Sequence, residues 1–130
     1  MEPQFDHERL DVSRVAIEFV RAVGELLNGP LAGCRMRAVG QLDRASTSIP
    51  LNIAEGNGKR TARDRCKYFV NARGSAFECA AALDVLVARK ALEVGTIATG
   101  RALLYRIVGM LSKMCLKLIQ QELPTNPATR

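Results

Sequence analysis

Apolar residues along this chain recur at three- and four-residue intervals in four separate stretches, the spacing of one face of an α-helix. In the first, Val12, Val15, Ala16, Phe19, Val23, Leu26 and Leu27 form a stripe over about residues 11–27, with Asp11 as its expected cap. Asn28-Gly29-Pro30 ends it, and a loop continues through Gly33. In the second, Met36, Val39, Leu42, Ser46, Ile49 and Ile53 predict a helix over about 36–57. Thr61 and Asp64, a capping-box-like pair, open the third and longest, about 61–90. Its stripe is Cys66, Phe69, Ala76, Ala80, Leu83 and Val87, and its small residues at 72, 74–76 and 80–82 let a neighbouring helix approach closely. Residues 91–95 connect to the fourth helix, about 96–121, which turns Ile97, Leu104, Ile107, Leu111, Met114, Cys115 and Leu118 inward. Pro124 is its expected stop, with a frayed tail beyond, and residues 1–10 read as an arm. Four amphipathic helices with short connections predict an all-α fold: one antiparallel up-down-up-down four-helix bundle domain spanning residues 1–130.

The second helix carries the most information. Pro50 falls inside its apolar pattern, removes one backbone donor and predicts a kink, with the hydroxyls of Ser46, Thr47 and Ser48 available to the freed backbone groups. A polar stripe runs opposite the apolar face: Arg37, Gln41, Arg44, Ser48, Asn52 and Glu55. Gly56 and Gly58 flank Asn57 and suit a left-handed helix stop. Lys59 and Arg60 then meet the negative end of the helix dipole.

The run SIPLNIAEGNGKR, followed by Phe69, Gly74-Ser75 and Glu78, resembles the four-helix bundle proteins, or 23S ribosomal RNA intervening-sequence proteins. Residues Ser48 to Gly56 match that family's pattern throughout, Leu10, Val12 and Ala16 look like its first helix, and the likeness covers about residues 5–120. The resemblance implies an antiparallel four-helix bundle assembled as a homopentamer around a central channel. A related group, the accessory variability determinants of diversity-generating retroelements, has a similar fold and binds nucleic acid and a reverse transcriptase.

Composition narrows the classes. Hydrophobic residues make up 48% of 130 and charged residues 25%, as in a soluble globular domain. No apolar run reaches the roughly 18 residues a membrane span needs, and the first residues lack the basic-then-apolar order of a signal peptide, so a cytoplasmic location is expected. The four cysteines, at 34, 66, 79 and 115, form no CxxC pair and share the chain with one histidine; no metal and no cofactor are expected. Cys66, Cys79 and Cys115 read as small buried hydrophobes with free thiols. Gly58-Lys59 is not a phosphate loop, because Ile53 stands where its first glycine belongs and Arg60 where it needs a hydroxyl. His7 has no nucleophile beside it, and Glu55 and Glu78 on facing helices are weak grounds for acid–base chemistry, so no enzyme is expected.

Two features remain. Arg44, Ser48, Asn52 and Glu55 on the second helix, with Asn71, Ser75 and Glu78 on the third, meet if the helices pack antiparallel. They then form either a hydrogen-bonded network that fixes register or a polar channel lining. The second feature is a basic rim: Lys59, Arg60, Arg63, Arg65, Lys67 and Arg73 face only Asp64 between residues 59 and 73, with Tyr68 and Phe69 interleaved. It is either a solvated edge or a footprint for RNA or single-stranded DNA. Apolar residues off the third helix's main stripe (Tyr68, Val70, Phe77, Val85 and Leu86) point to a homo-oligomer. The leading expectation is a non-enzymatic oligomer that binds nucleic acid through its basic rim. A protein-interaction scaffold and an enzyme using the polar stripe are the alternatives.

Overall fold

The computed structural model describes residues 2–122. Four α-helices follow in order: α1 (Asp11–Asn28), α2 (Arg37–Asn57), α3 (Ala62–Ala88) and α4 (Ala98–Glu122). One-turn 3-10 segments at Asp6–Arg9 and Val94–Ile97 precede α1 and α4. Sequential neighbours pack, and α1 closes the ring against α4, as an up-down-up-down bundle requires. The α2–α3 pairing is the most extensive, followed by α3–α4. Pro124 and the tail lie outside the described residues.

The core follows the apolar stripes. Phe19, Leu42, Ile49, Ile53, Leu83, Ile107 and Leu111 are all within 1% of complete burial. Phe69 joins them at 2%, and Leu86, expected on the outer surface of α3, is fully buried instead. Met36 departs the other way: expected on the inner face, it stands at the N-cap of α2 and is exposed, while Ala38 and Ala45 fill the interior.

Helix ends differ from expectation in three places. Leu10, not Asp11, occupies the N-cap of α1, so Asp11 begins the helix and pairs with Arg14 at 3.5 Å. Gly56 does not stop α2. It lies buried inside the helix, and the cap at Gly58 has φ −82°, an ordinary right-handed value. The left-handed stop falls at the end of α3, on Lys90 with φ 63°. There the amides of Lys90 and Ala91 bond the carbonyls of Val87 and Leu86, the paired pattern of a Schellman motif. Thr61 caps α3 as expected, its hydroxyl accepting from the Asp64 amide at 3.1 Å.

α2 runs unbroken through Pro50, whose ring removes the N–H that would bond the Ser46 carbonyl. The hydroxyls around it serve another acceptor. Ser46 Oγ and Thr47 Oγ1 both donate to the Asp43 carbonyl, at 2.8 and 3.1 Å.

The role of Gly56 is packing. A Cβ there would lie 2.9 Å from Phe69 Cε1, 2.9 Å from Tyr68 Cβ and 3.1 Å from the Arg65 carbonyl. Gly56→Ala must therefore push α3 away, at a cost of about 1–3 kcal/mol. Lys90→Gly should stabilise by about 0.5–1 kcal/mol, because the left-handed conformation penalises a side chain that glycine lacks. Chemical denaturation of both variants beside the wild type checks the two opposite signs.

A polar seam and a basic rim on the second and third helices

Gly56 sets the level at which α3 meets α2, and antiparallel packing carries that register along both helices. Ser48 and Ser75 face each other: Ser75 Oγ donates to Ser48 Oγ at 2.9 Å. The Asn52 amide, one turn along α2, donates to the same Ser48 oxygen and to the Ser48 carbonyl, both at 2.9 Å. At the other end of the seam, Arg44 reaches Glu78 at 3.3 Å. Ser48, Asn52 and Ser75 are half-buried, whereas the Arg44 side chain is 70% exposed. The hydroxyl–amide cluster thus contributes more than the ion pair, which solvent screens.

Two members of the expected stripe stand apart. Asn71 is exposed and has no side-chain hydrogen bond among the described residues. Glu55 turns along its own helix to Lys59, at 3.4 Å. Glu55 and Glu78 are not brought together; with Glu78 level with Arg44, roughly 15 Å of helix separates them. Beside the seam lies an open depression of about 480 Å³, lined by Gly40, Asp43, Arg44, Thr47, Ser48, Leu51 and Asn52.

The six rim cations divide into two sets. Three are engaged in the fold. Lys59 pairs with Glu55 and sits 5.2 Å from the centre of the Tyr68 ring. Arg65 Nε donates to the Lys59 carbonyl at 2.8 Å, which ties the α2–α3 turn to α3. Arg73 crosses to α4, where it donates to Ser112 Oγ at 3.2 Å, and its guanidinium lies 6.0 Å from the Phe77 ring. The other three, Arg60, Arg63 and Lys67, are exposed and have no ion pair or hydrogen bond among the described residues. Lys67 approaches the Tyr68 ring at 6.0 Å, so this half-buried aromatic stands between two ammonium groups.

A feature that single-helix reading missed is where the free cations lie on α3. Arg63, Lys67, Val70, Gly74, Phe77, Ala81 and Val85 follow one another at three- and four-residue steps, and all are exposed. One outer stripe is therefore cationic at its start and apolar or small beyond. On α4, which packs beside α3, Tyr105 and Leu116 are also exposed, at 84% and 56%. The sequence signal was present in the off-stripe apolar residues, but their continuity with the cations emerges only once the inner face is known.

A larger cleft lies elsewhere. It has a volume of about 1100 Å³, and its lining includes Ser13, Ile17, Pro50, Leu51 and Met110. The Ser13 hydroxyl there is buried without a partner. Among the described residues, no three His, Cys, Asp or Glu side chains cluster to hold a metal ion. No helix among them is long and apolar enough to cross a membrane.

The family model of 23S rRNA-intervening sequence proteins matches residues 8–113. Among solved structures, the chain is similar to a protein of unknown function from the S23 ribosomal protein family of Bacteroides thetaiotaomicron. The two share 19% identity at a TM-score of 0.72, over 80% of this chain and 97% of that one. Among curated proteins nothing matches.

The seam is tested by a double-mutant cycle. Asn52→Ala and Ser75→Ala should each cost about 0.5–1.5 kcal/mol. Because both act on Ser48 Oγ, their effects should not add, and the coupling should exceed about 0.5 kcal/mol in urea denaturation.

Proposed function

The chain belongs to the family of 23S rRNA-intervening sequence proteins, and from that premise we propose that it is a non-enzymatic, self-associating helical bundle that binds RNA or single-stranded DNA through its basic rim. The carrying observation is the free set, Arg60, Arg63 and Lys67, all exposed, with Lys67 6.0 Å from the Tyr68 ring. Like charges at helical spacing repel by a few tenths of a kcal/mol per pair, so the isolated bundle retains a mild cost there. A polyanion relieves that cost and releases counterions. Tyr68, half-buried beside Lys59 and Lys67, adds an aromatic ring whose face suits stacking by an unpaired base, which favours single strands over duplex.

Self-association rests on the apolar part of the α3 stripe. Phe77 is 54% exposed, Val85 45% and Val70 44%, and Gly74 has open space where a Cβ would stand. Such a face fits a second copy of the chain, with small residues allowing close approach. The number five comes from the family likeness, as does a central channel for the polar residues, and both are proposed with it. A cytoplasmic location is proposed on the same footing.

Binding of a labelled single-stranded oligonucleotide should weaken steeply with salt. Three phosphate contacts per chain give a log–log slope of about −2, and all six rim cations would give about −4. Arg60→Ala/Arg63→Ala/Lys67→Ala should reduce both affinity and slope while leaving the circular dichroism spectrum unchanged. Binding that the triple variant leaves untouched would transfer the reading to a protein-interaction scaffold. Light scattering checks the assembly separately: the wild type should scatter as an oligomer at micromolar concentration, and Phe77→Asp should lower its mass.

A further inference from the structure

We propose that Cys66 and Cys115 form a redox-active dithiol that closes to an intramolecular disulfide and clamps α3 to α4 beside the basic rim. Cys66 lies near the start of α3 and Cys115 near the end of α4, so antiparallel packing brings them to the same end of the bundle. Cys115 Sγ rests on the Cys66 carbonyl oxygen at 4.0 Å. That contact sets the two cysteines against each other across the α3–α4 seam. A disulfide spans Cβ atoms about 3.5–4.5 Å apart, so closing the bond requires the Cys115 sulfur to turn from the Cys66 carbonyl to the Cys66 sulfur. The other two cysteines are placed differently. Cys79 is fully buried in the core, and Cys34 lies in the α1–α2 connection at the opposite end of the bundle.

The two thiols are unequal, and the inequality orders the reaction. Cys115 is 5% exposed, and burial, reinforced by the Cys66 thiol and opposed by Arg73, pushes its pKa up to about 11. It rests protonated. Cys66 is half-buried and is the thiol that a small oxidant reaches first. With a low-molecular-weight disulfide as oxidant, Cys66 loses its proton to solvent, and its thiolate attacks one sulfur. A mixed disulfide forms on Cys66 and one small thiolate leaves. Cys115 then gives its proton to water, attacks the Cys66 sulfur and expels the second small thiolate. Both leaving thiolates take up protons. Two protein thiols are oxidised, and one small disulfide is reduced to two thiols. The closed bond sits one turn along α4 from Ser112, the Arg73 partner, so it fixes the segment that carries the rim.

The full-length protein is incubated with oxidised glutathione at mildly alkaline pH, alkylated, denatured and digested. The expected result is a fall from four free thiols to two, with Cys66 and Cys115 in one linked peptide pair. The oxidised protein should also melt at a higher temperature than the reduced one, because the bond closes a loop of about fifty residues. Cys115→Ser should halt the reaction at a glutathione adduct on Cys66, and Cys66→Ser should abolish the pair. A glutathione adduct that persists on wild-type Cys66, a link through Cys34, or a link between chains would overturn the proposal. The wild-type peptide map decides it even where a variant folds poorly.

Discussion

The structure depends on the crossing of α2 and α3 at Gly56. At that point the backbone of α2 is so close to Arg65, Tyr68 and Phe69 that no side chain fits between them. One missing methyl therefore lets the longest helix lie directly against its neighbour at this crossing. With that crossing set, antiparallel register brings Ser75 to Ser48 and Glu78 to Arg44. It also puts Arg65 within reach of the Lys59 carbonyl, which fastens the short α2–α3 turn. Moving α3 outward would break a row of geometrically linked contacts, each small. That is why a glycine outweighs the surface ion pairs here.

α3 has two different partners, and the chemistry of its two seams differs accordingly. Toward α2 it presents serine and glutamate, and the contacts are hydrogen bonds around one hydroxyl. Toward α4 it presents Arg73 to Ser112, Asp84 to Arg101 and Cys66 to Cys115. Polar groups of this kind add little net stability, but they penalise any register that leaves them unpaired. The apolar core supplies the drive to pack, and the seams select which packing forms.

The fold was legible in the sequence because apolar spacing is a local signal, and it marked all four helices and most of their inner faces. Thr61 was legible for the same reason, its cap being settled by residues three apart. What escaped is tertiary. Gly56 read as a stop because glycine pairs usually mark ends, yet a close helix crossing uses the same residue for a different reason. Lys90 gave no sign of a left-handed conformation, which is imposed by the turn leading α3 back toward α4. Leu86 looked superfluous to one stripe but is buried, because α3 packs against two helices and its inner face is wide. In the seam, the pairing of Glu55 with Lys59 was present in the sequence as a four-residue spacing, but the facing helix offered a competing partner. The rim was legible as an excess of charge. Its division into engaged and free cations was not, since Ser112 lies far from Arg73 in the chain.

That division bears on how assembly and polyanion binding would act on each other. The free cations open the same α3 stripe whose later residues are apolar. On the proposed reading, contacts between copies through Val70, Phe77 and Val85 gather Arg63 and Lys67 of several chains at one end of the assembly. Bringing like charges together costs free energy that rises as salt falls, with a reach of about 10 Å at 0.1 M. Bound polyanion removes that cost, and linkage then requires the converse: oligomerisation must raise polyanion affinity by the same factor by which polyanion stabilises the oligomer. Multiple rims on one particle add avidity to this coupling without any new contact. The two properties proposed for the stripe are therefore thermodynamically connected, because one helix face carries both.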